Sequence, residues 1–420
     1  MRLVLPALAL SALVACAGSG KSPASPADAD PRDPPEPEPQ GTVTEWAIGD
    51  QPDNGPVVFQ QDVIHQINIE LEDDATDSLY RDPYEEVLSQ VVIDDMQVPD
   101  VGVRLRGKVG SFRTLDGKPK LEIDFNTFVD GQRFQGLESL SLNNSVVDCS
   151  YLKETVGYRV FEALGVPAAR TAYAQVTING LEYGLYVLVE TQDDRFLKER
   201  WADDDGNLYD GKYIWYGGHD YQLLDFGSGL DTMYQLEEGS DVGHADISAI
   251  SDTLIAAWGQ PDFYEQMGEV IDWDALHREW AGEQWVGQND GYCINQNNYR
   301  VYFNPETDRA ELIPWDLDYA FLNARDWGRS WASPAGKLAQ ACWQDSVCVA
   351  AQQQAMAEAL DIIDSMDLQT HVDALADLTQ AAALDDPRRE CARGDVLPWR
   401  DYIDDWVATR SDLLRDQWGL

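Results

Sequence analysis

Short apolar runs and alternating apolar and polar positions mark a series of strands in the first half of the chain, at Val57–Phe59, Ile67–Ile69, Val101–Arg106, Leu121–Phe125 and Ala172–Ile178. The last of these runs into Asn179-Gly180 and then Leu181–Glu190. Asn-Gly accepts the positive φ of a tight hairpin turn, so these two runs are expected to pair. One helix interrupts the strands. Leu152, Val156, Val160 and Leu164 recur every four residues across Ser150–Leu164, and Gly165 and Pro167 end the run. Beyond Glu190 the period becomes mostly helical, with segments predicted at 245–258, 273–288, 348–364, 368–382 and 399–417. Within that region Arg300–Phe303 and Ala310–Ile313 read as a short hairpin. No internal repeat is evident. The pattern describes an α+β protein, with a β-rich lobe at 56–190 carrying one key helix and an α-rich lobe at 191–420 ending in a helical tail.

The N-terminus changes where such a protein is expected to reside. A single Arg precedes an apolar run from Leu3 to Ala15, too short to span a bilayer, so residues 1–15 read as an export signal. The run ends Leu13-Val14-Ala15-Cys16, which is similar to a bacterial lipobox and implies cleavage before a lipidated Cys16; an ordinary signal with a chance cysteine is the plainer alternative. Acyl chains anchor durably, at roughly 0.8 kcal/mol per buried methylene. Ala17, by analogy with other lipoproteins, points to the outer membrane of a bacterial envelope. Residues 16–55 are rich in Pro, Ala, Ser and acid and read as a solvated, extended tether. Membrane contact is expected through the lipid anchor only.

With 30 Lys+Arg against 75 Asp+Glu, the formal charge of −45 argues against nucleic acid as a partner. That charge is unevenly spread. Residues 51–100 carry 13 acids and one base, Arg81, whereas Arg104, Arg106, Lys108, Arg113, Lys118 and Lys120 stand against Asp116 alone in residues 101–120. The turn Arg106-Gly107-Lys108-Val109-Gly110-Ser111 has the glycines and cations that a phosphate cradle needs; a basic hairpin packed on the acidic remainder is the plainer reading. Five cysteines follow Cys16: Cys149, Cys293, Cys342, Cys348 and Cys391. Export permits disulfides, an odd number leaves at least one thiol free, and Cys342 with Cys348 is the expected pair. Neither CxxC, HExxH nor GxSxG spacing occurs, which argues against a zinc or serine hydrolase. The acidic stretch at Ala202–Asn207 resembles a calcium loop, but counting from Gly206 as the sixth position puts its ends at Trp201 and Lys212, which cannot ligate.

A second constellation lies in the α-rich lobe. Asp290 follows the helix ending near Gln288, Asn295 and Asn298 precede the hairpin, and Asp316 and Asp318 emerge from its far end. Phosphoryl transfer needs this order: a catalytic-loop acid and an asparagine, then a metal-binding acid. Asparagines and acids that merely cap turns are the alternative. Asp316 and Asp318, two strand residues apart, would repel unless a cation lay between them.

The segments VGVRLRGKVGS, GKPKLEIDF, SYLKETVGYRVFEALGVPAAR, GLEYGLYVLVE, GNLYDG, QNDGYCINQNNYRVYF and IPWDLDYAF, in this order over roughly residues 60–325, resemble the spore coat protein CotH kinase family. The resemblance implies a protein kinase-like two-lobed fold that uses ATP with Mg2+ or Mn2+ to phosphorylate protein substrates, at Ser/Thr hydroxyls. It also implies that Lys118 serves the nucleotide phosphates, with Lys120 the alternative, and that Glu154 on the lone helix is the lysine's ion-pair partner. Arg106, Ser111 and Glu190 join these lysines as expected nucleotide contacts. The resemblance gives Asp290 to the catalytic loop and Asp316 to the metal; Asp290 can accept a hydroxyl proton or orient the nucleophile, Asp318 is expected to share the metal, and Asn295 or Asn298 to supply it a neutral oxygen. The chain departs from the family in having Lys108-Val109-Gly110-Ser111 where small residues are usual, and Glu122 where a base is common. Two other functions stand beside this one: a non-enzymatic surface binding protein or adhesin on this fold, and a hydrolase using Asp290 and Asp316 on a glycan, against which the basic island argues.

Overall fold

In the computed structural model the apolar faces of seven strands enclose one interior, filled by residues such as Ile67, Val91, Val103, Ile123, Leu140 and Leu188. The structure describes residues 45–46, 57–108, 110–211, 214–216, 219–221, 224–229 and 231–420; the export signal and, apart from 45–46, the tether lie outside the described residues. Residues from Gly41 onward belong to one unit.

The seven strands are β1 (Ile64–Glu70), β2 (Val87–Ile93), β3 (Met96–Arg106), β4 (Lys120–Asp124), β5 (Ser139–Asn143), β6 (Thr171–Ile178) and β7 (Leu181–Glu190). They run β1-β2-β3-β4-β5-β7-β6 and close into a barrel. Closure comes from parallel pairing of β1 with β6, Ile64 opposite Tyr173 through Ile69 opposite Ile178. This is a departure from the small lobe of a usual protein kinase, which the resemblance implies: laying the entering strand beside β6 leaves the ring without an edge. The β6–β7 turn has Asn179 at φ 50° and Gly180 at φ 74°, the left-handed pair that Asn-Gly favours. Val57–Phe59, expected as a strand, is a single 3-10 turn. Its N–H from Val58 goes to the Gln135 side chain at 3.0 Å instead of to a strand neighbour.

Helix α1 (Lys153–Ala163) is buried along almost its whole length, including its polar first turn. Its Val156, Val160 and Phe161 pack with Val187 and Val189 of β7 and with Leu317. Gly157 permits this contact, since a Cβ there would stand 2.8 Å from a Leu317 methyl. The predicted helices form as α2 (Ala245–Ala257), α3 (Trp273–Val286), α4 (Ser346–Asp364), α5 (Leu368–Asp385) and α6 (Val396–Trp418). Between them stands a four-stranded sheet of β8 (Asn207–Gly211), β9 (Tyr234–Glu238), β10 (Tyr299–Asn304) and β11 (Arg309–Pro314), ordered β9-β8-β10-β11. The β10–β11 hairpin has the expected register, Arg300 opposite Ile313 and Phe303 opposite Ala310. Strands β8 and β9 escape prediction because they are short and depend on non-local pairing, β8 with β10 and β9 with β8. Cys342 is bonded to Cys348 and Cys149 to Cys391, and Cys293 is a buried free thiol.

Candidate active site

Helix α3 closes at Gly287, whose φ of 62° turns the chain into the loop at 288–298. Glu283, in the last turn of α3, holds that loop: its carboxylate accepts from the N–H of Tyr292 at 2.8 Å and of Cys293 at 3.2 Å. The loop presents Asp290, Asn295, Asn297 and Asn298 to one wall of a cleft. Asn295 Nδ2 donates to Asp290 Oδ1 at 2.6 Å, and Asn298 Nδ2 donates to Asp290 Oδ2 at 3.2 Å and to the Asp316 carbonyl at 3.0 Å. Burial pushes the Asp290 carboxyl up to about 6, with the amides of Asn295 and Asn297 opposing. An oriented carboxylate with a raised pKa is what a general base requires.

One turn before Glu283, Glu279 is fully buried, and neither of its carboxyl oxygens has a partner. Burial, then the nearby Glu283, holds it well above the carboxylate range; burial also pushes Glu283 up to about 7. The folded chain therefore keeps protons on this pair that the unfolded chain releases near pH 4.3. Stability should accordingly fall as pH rises from about 4 through 7. Glu279→Gln is expected to flatten that decline and to melt higher than the parent at pH 8. Thermal unfolding at pH 5 and pH 8 checks this, and equal pH dependence in the two proteins would sink it.

Opposite the Asp290 loop, Lys120 opens strand β4, and its Nζ lies 2.8 Å from Asp316 Oδ2 and 3.0 Å from Asp318 Oδ2. The cation expected between those two acids is thus supplied by lysine. Burial works against the Lys120 charge, but Asp316, Asp318 and Glu154 outweigh it and raise its pKa. Asp316 sits at φ 42°, in the left-handed region, as β11 gives way to the next turn. Burial, followed by Asp316, pushes Asp318 up to about 7. Glu154 accepts from Asn143 Nδ2 at 2.5 Å and is held well above the carboxylate range by burial and then by Asp316. Sequence reasoning missed Lys153, whose buried Nζ donates to the Asp318 carbonyl at 3.0 Å. A lysine beside Glu154 in the first turn of the lone helix was the available signal.

Two of the expected nucleotide contacts lie elsewhere. Lys118 precedes β4 and is separated from it by Pro119, so it does not share a strand face with Lys120. Its Nζ bonds Asp386 and the Leu185 carbonyl, each at 2.6 Å, in a buried pair away from Glu154. Glu190 is engaged by Arg170 and Arg200, at 2.5 and 2.6 Å, and does not line the cleft. Arg106 and Ser111 do line it. The basic island is also no free positive patch. Arg104 and Arg106 bond Glu122 at 2.6 and 2.7 Å, Arg113 pairs with Glu390, and Lys118 and Lys120 are paired as above. Strand register sets Glu122 directly opposite Arg104, which is why an acid is tolerated there.

The cleft encloses about 740 Å³ between the loop after β3, Lys120, the Asp290 loop and Asp316. Among the described residues no group of three His, Cys, Asp or Glu side chains stands ready to hold a metal. Magnesium with a nucleotide does not need one, because it takes one or two carboxylates and completes its shell with phosphate oxygens and water. Asp316 is 25% exposed at the cleft, and the buried Asn297 Oδ1 on the same wall has no partner. These residues fit a metal–nucleotide. Of the asparagines expected as ligands, Asn295 and Asn298 direct their N–H groups to Asp290 instead. A larger hollow of about 1490 Å³ contains none of these acids, and its Arg159, Arg170, Arg195 and Arg200 are each paired with glutamates.

Comparison with known proteins points to the same segment. The family described as CotH kinase protein matches residues 103–414. Inner spore coat protein H of Bacillus subtilis (strain 168) is 26% identical over 213 residues, 48% of this chain and 54% of the relative. The chain thus spans about half the length of that curated relative. Among solved structures, a Shewanella oneidensis MR-1 complex of HipA, HipB and operator DNA aligns with a TM-score of 0.31 at 12% identity, over 86% of this chain and 74% of that one. The Helicobacter pylori proinflammatory kinase CtkA aligns at 0.26 and 9%, over 70% and 90%.

Proposed function

The chain belongs to the CotH kinase protein family, and we propose that it is an atypical protein kinase that transfers the ATP γ-phosphoryl group to protein hydroxyls, serine or threonine, with Mg2+ or Mn2+. The observation that carries this reading is the convergence of Lys120, Asp290 and Asp316 on one cleft from three separate stretches of chain, with Glu154 buried near Lys120. Bound metal–ATP would supply the phosphoryl group and neutralise the charge on its oxygens. In this reading Asp316 and Asn297 would hold the metal, and Asp318 helps to anchor Lys120. Lys120 takes the phosphate role that the resemblance gave to Lys118. Glu154, fixed by Asn143, is the third acidic neighbour of Lys120, after Asp316 and Asp318. Asp290 accepts the proton of the attacking hydroxyl, while Asn295 and Asn298 keep its oxygens aimed. The backbone turn at Gly107 and Ser111 covers the phosphates.

We place this activity outside the cytoplasm, in the cell envelope, on the strength of the signal-like N-terminus and of a relative named as a spore coat protein. The lipidated Cys16 anchor belongs to the same proposal. The test is transfer of labelled γ-phosphate from ATP to protein by the full chain. Transfer is expected with Mg2+ or Mn2+ and should vanish on chelation. Transfer that survives chelation, or none under either metal, would overturn the reading.

A further inference from the structure

Between α5 and α6 the chain crosses back onto the barrel and grips it at three points. Asp386 inserts its carboxylate above Gly184. Oδ2 accepts from Lys118 Nζ at 2.6 Å, Tyr151 Oη at 2.9 Å and the Leu185 N–H at 3.0 Å. Gly184 has a φ of +92°, and a Cβ there would stand 2.2 Å from the Asp386 carboxylate, so the close approach requires glycine. Next, the Arg388 guanidinium donates to the carbonyls of Leu115, Asp116, Gly117 and Glu182 at 2.5 to 3.2 Å and lies 3.7 Å over the Tyr183 ring. Finally, both carboxylate oxygens of Glu390 receive Arg113, and Cys391 is bonded to Cys149.

These grips fall largely along one loop, 107–119, whose Gly107, Lys108 and Ser111 line the cleft. They differ in kind. Lys118 and Asp386 are buried at 1% and 0% exposure, so that end needs no further restraint. Arg113 and Glu390 are 29% and 37% exposed, where an ion pair by itself holds little. Arg113 is also the residue that ties the cleft-facing turn together, because its Nη1 donates to the Gly110 and Phe112 carbonyls. Glu390 stands between Arg388, anchored through four carbonyls on one side, and Cys391, anchored through the disulfide on the other.

Resting on the reading of the cleft as a nucleotide site, we infer that the Cys149–Cys391 disulfide is a redox-sensitive fastener that makes Glu390 and Arg113 positioning residues for the turn at 107–113. Both of its cysteines are partly exposed, whereas Cys342 and Cys348 are fully buried, so an external dithiol reaches the first bond before the second. In that exchange one thiolate attacks a sulfur of the pair, the second closes the reagent's own disulfide, and two electrons and two protons leave Cys149 and Cys391 as thiols.

The experiment treats the full chain with a dithiol and maps by mass which bond has opened. Amide hydrogen exchange is then followed without nucleotide, and KM for ATP and kcat are measured separately. Opening Cys149–Cys391, or substituting Cys391→Ser, is expected to speed exchange at 107–114 while 115–119, held by Asp386 and Arg388, stays protected. KM for ATP should rise about 5- to 150-fold, the ordinary span of coupling between two sites, with kcat far less changed and reoxidation restoring the parent KM. Glu390→Gln should reproduce the same split with the disulfide intact. Unchanged exchange at 107–114 after verified reduction overturns the inference whether or not the protein binds ATP. Faster exchange there in a protein that never binds ATP keeps the fastener and discards the nucleotide reading.

Discussion

Asp290→Ala is expected to lower phosphoryl transfer by roughly 10² to 10⁴ while leaving metal-dependent ATP affinity largely intact. Asp290 stands on the loop before the β10–β11 hairpin, its carboxylate held by Asn295 and Asn298, so it is placed for the acceptor hydroxyl. Asp316 lies beyond the hairpin, partly exposed to the cleft and 2.8 Å from Lys120. Asp316→Ala should therefore lose metal-dependent ATP binding and transfer together. The two variants must fail differently. Equilibrium binding of ATP with and without Mg2+, measured beside labelled phosphate transfer, separates them. Poor metal–ATP binding by Asp290→Ala with normal binding by Asp316→Ala would reverse the assigned roles, and full transfer by both would end the kinase reading.

The second large effect contrasts two lysines that stand two residues apart. Lys118→Met leaves the Asp386 carboxylate buried without its countercharge, a loss of roughly 3 to 5 kcal/mol when one member of a buried pair is removed. Lys118 is itself pushed down to about 8 by burial, with Asp386 opposing, so its charge persists at neutral pH because of that partner. Besides leaving the buried Asp318 without its countercharge, Lys120→Met should act on binding. Its loss is expected to weaken ATP affinity by roughly 1.5 to 3 kcal/mol, the range for hydrogen bonds to charged groups. Urea unfolding and ATP titration of both variants check the assignment. A Lys118→Met protein of parental stability that has lost ATP affinity would return the phosphate role to Lys118.

The choice between these lysines shows where local reading of the chain stops. Both lie in one basic segment and at spacing that suggests a shared strand face, yet Pro119 ends that periodicity just before β4 begins. Glu190 was misplaced for a similar reason: its partners Arg170 and Arg200 lie 20 and 10 residues away, and only packing brings both onto it. The positive surplus of residues 101–120 likewise suggested a free anion cradle. Glu122, Asp386, Glu390, Asp316 and Asp318 neutralise most of it, and four of these five lie almost 200 or more residues further on.

What the chain determined by itself is whatever depends on neighbours a few residues away. Period-two and period-four apolar spacing place β3, β4, β6, β7, α1 and the helices beyond 245, and Asn179-Gly180 places the hairpin turn, because backbone preference and side-chain direction are local. The order of Asp290, the asparagines and Asp316 around β10 and β11 was legible for the same reason. Tertiary structure decided the rest: closure of the barrel through β1 and β6, the Cys149–Cys391 bond across 242 residues, and which lysine meets Asp316. Each depends on charge pairing or strand pairing between distant segments, and the free energy of burying a charge is set by the partner that folding delivers to it.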